Sequence, residues 1–141
     1  MVTALSWLLD TNILSEAMRP APNATVLSNL ARYEGELGVP APVWHELRFG
    51  WLRMPEGHRK DAIGRYVQHV VGALPVLPYD AAAARIHAEL RSTRAQCGAP
   101  LSFVDGQIAA ISMALGLTLV TRNAKDFAGL AGLRLNNWFE A

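Results

Sequence analysis

The chain has 141 residues, 51% hydrophobic and 18% charged, with 13 Lys+Arg against 12 Asp+Glu and a formal net charge of +1. That length suits one domain spanning 1–141 with a core of its own, and the composition excludes a disordered or low-complexity chain. A single cysteine, Cys97, excludes an internal disulfide, no apolar run approaches the roughly 20 residues of a membrane span, and so balanced a charge does not by itself mark a nucleic-acid binder.

The opening MVTALSWLLD has no basic n-region and runs straight into an acidic residue, so it reads as a first strand and not as a signal peptide. With one thiol, the chain fits a reducing cytoplasm. Leu5 to Leu9 is a short apolar run, the pattern of a strand buried on both faces. Asp10-Thr11-Asn12 then offers helix-capping side chains, and Pro20 closes the helix that follows. Asn23 caps a second helix through Leu30, ending near Gly35. Leu37 to Val39 is the next strand, and Pro42 suits the first turn of a helix carrying Val43, Glu46, Leu47 and Gly50.

One long helix is expected from about Glu56 to Ala73, with Ile63, Val67, Val70, Val71 and Leu74 at helical spacing. Val76-Leu77 is a strand. Asp80 caps the alanine-rich stretch to Ala95, which stops at Gly98-Ala99-Pro100. Ser102 caps a helix carrying Asp105, Ile108, Ile111 and Leu115 that ends at Gly116. Leu117 to Val120 is a strand, Ala124 to Phe127 a turn of helix, and Leu133 to Leu135 a last short strand. Strands alternating with helices imply an α/β fold with one central parallel sheet between helical layers. Such sheets bind ligands at the carboxyl ends of their strands, near the point where strand order reverses.

Four acidic residues follow predicted strand ends or open the helices after them: Asp10, Glu46, Asp105 and Asp126. Each has an ordinary explanation. Asp10 could simply cap a helix, and Glu46 could be a solvated glutamate. Asp105, three residues after Ser102, has the form of a capping box, and Asp126 could sit in a plain turn. Their joint placement is what carries chemistry. Carboxylates gathered at one sheet edge repel one another, and a hard divalent cation with oxygen ligands removes that repulsion. Thr121 and Asn123 add polar groups at the same edge, with Asn12 beside Asp10, and all three suit orienting a carboxylate. Arg122, between Thr121 and Asn123, is placed to meet a phosphate.

Other chemistries lack their motifs. His45, His58, His69 and His87 share no metal-ligand spacing, and no P-loop, dinucleotide fingerprint or nucleophile elbow is present. His45 lies about 100° round the helix from Glu46 and reads as a rim residue.

LLDTNILSE, VWHELRFGWLRMPEG, LSFVDGQIAAISMALGLTLVTRNAKDF and the final NNW, in this order, resemble the PIN-domain ribonucleases of VapC or FitB type, toxins of bacterial toxin–antitoxin pairs. The resemblance spans nearly the whole chain. It implies a three-layer α/β/α sheet fold and an endoribonuclease dependent on Mg²⁺ or Mn²⁺. It also implies a cognate VapB-like antitoxin and a homodimer. Asp10, Glu46, Asp105 and Asp126 match the family's four acidic positions, and Thr121 and Asn123 its polar strand end. His45 and Gly106 depart from it, where a smaller or apolar residue and an alanine are usual, and Gly106 is expected to loosen the first turn of its helix. The apolar residues Val26, Leu27 and Leu30, or the face around Trp44 and Trp51, are candidate partner surfaces. Two alternatives stay open: another Mg²⁺-dependent phosphoryl hydrolase, such as a phosphatase or DNA nuclease, and a non-catalytic module whose acidic pocket docks a basic peptide.

Overall fold

The computed structural model describes residues 4–140, so the reading of residues 1–3 as the lead into the first strand lies outside the described residues. In chain order the elements are β1 (Trp7–Leu9), α1 (Thr11–Glu16), α2 (Ala24–Arg32), β2 (Leu37–Pro40), α3 (Ala41–Leu52), α4 (His58–Arg65), β3 (Val76–Leu77), α5 (Ala81–Gln96), α6 (Phe103–Leu115), β4 (Thr118–Val120) and β5 (Arg134–Asn136). The strands form one sheet in the order β3-β2-β1-β4-β5, and every pair is parallel. Successive strand residues point to opposite faces. Leu8 and Leu9 are both fully buried, as are Leu119 and Val120, so helices cover the sheet on both sides. That is the expected three-layer arrangement. No helix among the described residues is long and apolar enough to cross a membrane.

Caps fall where the sequence places them. Asn23 and Asp80 accept hydrogen bonds from the Val26 and Ala83 N–H groups, and Ser102 Oγ accepts from the Asp105 N–H at 3.2 Å. Gly116 closes α6 in the left-handed region at φ 67°, where a side chain would be strained. The C-terminal tail is pinned by aromatic packing. Trp138 is buried against Trp7 of β1 and Tyr33 beyond α2, with ring centroids 5.4 and 5.7 Å away.

The helix expected over Glu56–Ala73 runs from His58 to Ala73, but it is not one regular α-helix. α4 ends at Arg65, continues as a π-helical turn over Tyr66–Val70 and closes as a 3₁₀ turn over Val71–Ala73. Two contacts flank the start of this wider turn. The Tyr66 hydroxyl donates to the Leu14 carbonyl at 2.9 Å, and the Trp51 indole fills the space a side chain at Gly64 would need. Val67 and Val71 stay buried, but Val70 turns out and is 54% exposed. A regular 3.6-residue period would have kept it nearer the apolar face.

The chain passes from β1 to β2 to β3 on one side, then returns to lay β4 on the other side of β1. Strand order therefore reverses between β1 and β4, and their carboxyl ends open a crevice there.

Candidate active site

Asp10 is the first residue beyond β1. Its N–H still bonds the Val120 carbonyl of β4 at 3.0 Å, which places its side chain in the crevice between the two strands. The carboxylate is 8% exposed and well held. The Thr11 N–H donates to Oδ1 at 2.8 Å, while Thr121 Oγ1 and Asn12 Nδ2 donate to Oδ2 at 2.8 and 3.4 Å. Asp10 is thus both the cap of α1 and a cleft carboxylate.

Three strands of chain meet at this point. Thr121 is fully buried and also accepts the Asn123 N–H at 3.1 Å, while Asn12 Oδ1 accepts the Arg122 N–H at 3.0 Å. The turn after β4 is therefore stitched to the start of α1. Glu46, on α3, is reached from the start of α1, since Thr11 Oγ1 donates to its Oε2 at 2.9 Å. Asp105, in the first turn of α6, is held only through its backbone to Ser102. Among the described residues the carboxylate makes no return bond to the Ser102 N–H, so the capping-box reading accounts for the helix start but leaves the side chain to the cleft.

A cleft of about 310 Å³ is lined by Asp10, Glu46, Asp105, Asn12, Asn123 and Thr11. Burial raises the Asp10 carboxyl above its ordinary value, the hydrogen bonds from Thr121 and Thr11 oppose this, and the charges of Asp105 and Glu46 raise it further. Both of those carboxylates line the same cleft as Asp10. No group of three His, Cys, Asp or Glu side chains among the described residues closes on a single point. The three carboxylates line one cleft without converging on one point. An all-oxygen donor set with this mutual repulsion is the chemistry that fits a hard divalent cation.

Two residues expected at the site are not among those that line the cleft. Asp126 is exposed on the 3₁₀ turn Ala124–Phe127 and does not line the cleft. The Arg122 guanidinium lies 4.4 Å from the centre of the Phe139 ring and forms no ion pair among the described residues. His45 is exposed, as its position on the helix implied. Two features escaped the sequence reading. Thr11 tethers Glu46, which its place between Asp10 and Asn12 could have suggested. Behind Asp105, His87 of α5 is 4% exposed, pairs its Nδ1 with the Tyr79 hydroxyl at 2.7 Å and meets Phe103 edge-on. A Cβ at position 106 would lie 2.4 Å from His87 Nε2. The glycine leaves room for that imidazole, a packing reason the sequence reading did not supply.

The PIN domain family model matches residues 7–133, which is most of the chain. The protein belongs to the PIN-domain family. It is 36% identical over 136 residues to the VapC ribonuclease Y4jK of Sinorhizobium fredii, covering 94% of this chain and 96% of that one. It is 31% identical over 134 residues to the tRNA(fMet)-specific endonuclease VapC of Shigella flexneri, covering 95% and 98%. Among solved structures, FitAcB from Neisseria gonorrhoeae superposes with a TM-score of 0.86 at 31% identity, covering 96% of this chain and 99% of that one. Membership of the VapC and FitB group within the PIN family agrees with the motifs in the sequence.

Proposed function

We propose that this PIN domain is a divalent-metal-dependent endoribonuclease and the toxin of a toxin–antitoxin pair. The observation that carries the proposal is the cleft at the β1/β4 crevice. It gathers Asp10, Glu46 and Asp105 from three distant segments and raises the Asp10 carboxyl. Asp10, Glu46 and Asp105 would hold the ion, Mg²⁺ or Mn²⁺. When bound, it supplies Lewis-acid stabilisation of charge on a phosphodiester undergoing hydrolysis.

The chain's own residues set the stage. Thr121 and the Thr11 N–H fix both oxygens of Asp10, so its free lone pairs aim into the cleft. Thr11 Oγ1 orients Glu46, which is otherwise exposed and free to swing. Asn123 lines the cleft as a neutral hydrogen-bonding side chain. Asp126 and Arg122 are given no part in the chemistry, because one lies outside the cleft and the other would have to leave the Phe139 ring.

A VapB-like antitoxin is the partner this reading implies. A groove of about 1070 Å³ between α2 and the π-helical turn, lined by Leu27, Leu30, Ala31, Tyr66, Val70 and Leu74, is the proposed seat for its apolar helix. Of the two partner surfaces read from the sequence, this is the one of Val26, Leu27 and Leu30, except that Val26 is fully buried in the core and does not line the groove. A homodimer and a cytoplasmic site of action complete the proposal. The test is cleavage of mixed cellular RNA with Mg²⁺ or Mn²⁺, with EDTA, and with single-stranded DNA in its place. Chelator-sensitive cutting of RNA, lost in Asp10→Asn and Asp105→Asn, is expected. Cleavage that survives EDTA, or full activity in either variant, would refute it, and cutting of DNA alone would favour the DNA nuclease.

A further inference from the structure

The outward face of α3 carries an aromatic ridge that neither the core nor the carboxylate cleft uses. Phe49 is 56% exposed, although it is among the largest apolar side chains in the molecule. His45, one turn earlier, stacks with it at 6.2 Å between centroids and 18° between planes. Arg53, one turn later, lies with its guanidinium 5.4 Å from the ring centre. One turn before Arg53 and one after His45, Phe49 is thus held between an imidazole and a cation with much of its ring still open to solvent.

The ridge divides two depressions, and Glu46 lines both of them as well as the carboxylate cleft. On one side lies a hollow of about 530 Å³ into which Arg19, Arg53 and Arg59 project, floored by Met18 and Met54. On the other, a hollow of about 640 Å³ holds His45, Tyr79 and Asp105. Arg53 and Arg59 form no ion pair among the described residues, and Arg19 pairs only with Glu16, at 3.4 Å with its own side chain 62% exposed. A chain of near-zero net charge therefore presents three arginines on one flank of its acidic cleft. That charge pattern complements a polyanion whose scissile phosphate enters the cleft while its neighbours run along the arginines.

We infer that His45, Phe49 and Arg53 form a stacking platform for one unpaired base of a single-stranded RNA, adjacent to the phosphate held at the carboxylates, with Arg19, Arg53 and Arg59 contacting the flanking backbone. The inference rests on the endoribonuclease reading. Every base has a π face, so the platform selects for unpaired nucleotides and not for sequence, and Arg beside the ring adds a cation–π contribution. A duplex would keep its bases stacked inside and could not use Phe49. The ridge would thereby let a cleft that reads only phosphate favour loops over helices.

The experiment is fluorescence anisotropy with a fluorescein-labelled oligo(A) twelve-mer, and with the same oligomer carrying one central abasic nucleotide. Ca²⁺ replaces Mg²⁺ to hold off cleavage, and light scattering gives the mass of every variant. Phe49→Ala and Phe49→Leu should each bind the twelve-mer about 5- to 30-fold more weakly, while Phe49→Trp stays within about twofold of the parent. Arg53→Gln and Arg59→Gln should each lower the slope of log K against log salt by about 0.7. Unchanged binding in Phe49→Ala, or parent-like binding in Phe49→Leu, would overturn the inference, because apolar bulk rather than a ring would then suffice. A fall in mass in Phe49→Ala would also overturn it, by making the ridge an interface between copies of the chain. Cleavage is measured separately with Mg²⁺. A parent that cuts RNA but does not bind the twelve-mer sinks the platform alone, and one that does neither sinks the nuclease reading too.

Discussion

Gly106→Ala isolates the packing behind Asp105. An alanine Cβ would stand 2.4 Å from His87 Nε2 and 2.6 Å from Cδ2, closer than real Cβ atoms approach any neighbour. His87 is buried and tied to Tyr79, so it cannot withdraw without giving up the 2.7 Å bond. Overpacking of this kind costs about 1–3 kcal/mol, and the Tyr79 bond adds about 1 kcal/mol. Against this, alanine gains about 1 kcal/mol over glycine inside a helix. The net is a loss of about 1–3 kcal/mol, or roughly 3–9 °C of Tm for a domain this size. Thermal melts of the parent, Gly106→Ala, His87→Ala and the double variant form the cycle. In the His87→Ala background the same Gly106→Ala change should become neutral or stabilising by up to about 1 kcal/mol. Activity should follow, because the clash falls on the turn that carries Asp105. A Gly106→Ala effect of equal size in both backgrounds, or none in the parent, would refute this account of the glycine.

The same cleft gives predictions of other kinds. Asp10→Asn should abolish cleavage yet raise Tm in EDTA at neutral pH, since it removes a buried charge raised by burial and by two neighbouring carboxylates while keeping an oxygen for the Thr11 N–H; a lower Tm would show that the cluster is not self-repelling. Because the folded state holds the Asp10 proton more tightly than the unfolded one, this group's stabilising contribution is complete below 3.8 and is lost as pH rises through its raised folded value. The Tm advantage of Asp10→Asn over the parent should therefore widen on going from pH 4 to 7 in EDTA, and close when Mn²⁺ is added. Thr11→Val should keep the fold but release Glu46, lowering cleavage about tenfold with little change in Tm, as read by initial rates at saturating metal. Asp126→Asn, outside the cleft, should retain most activity, and a loss as deep as that of Asp10→Asn would return it to the ligand set.

Much of this architecture is local and therefore legible in the chain. The apolar pair Leu8-Leu9, the caps Asn23, Asp80 and Ser102, and the stop at Gly116 act through neighbours within a few residues, so their patterns sufficed for nearly every strand and helix. They also specified which carboxylates stand at strand ends. What they could not specify was which of these converge. That is decided by parallel pairing of β1 with β4, residues more than a hundred positions apart, and by Thr121 bonding Asp10 across that gap. Asp126 is exposed on its 3₁₀ turn and is not among the residues that line the cleft, a matter of orientation that spacing does not encode. The π turn at Tyr66 and the vacancy at Gly106 likewise depend on a distant carbonyl and a distant imidazole. Periodicity reports which face of a segment is apolar; only the packed molecule sets what that face meets.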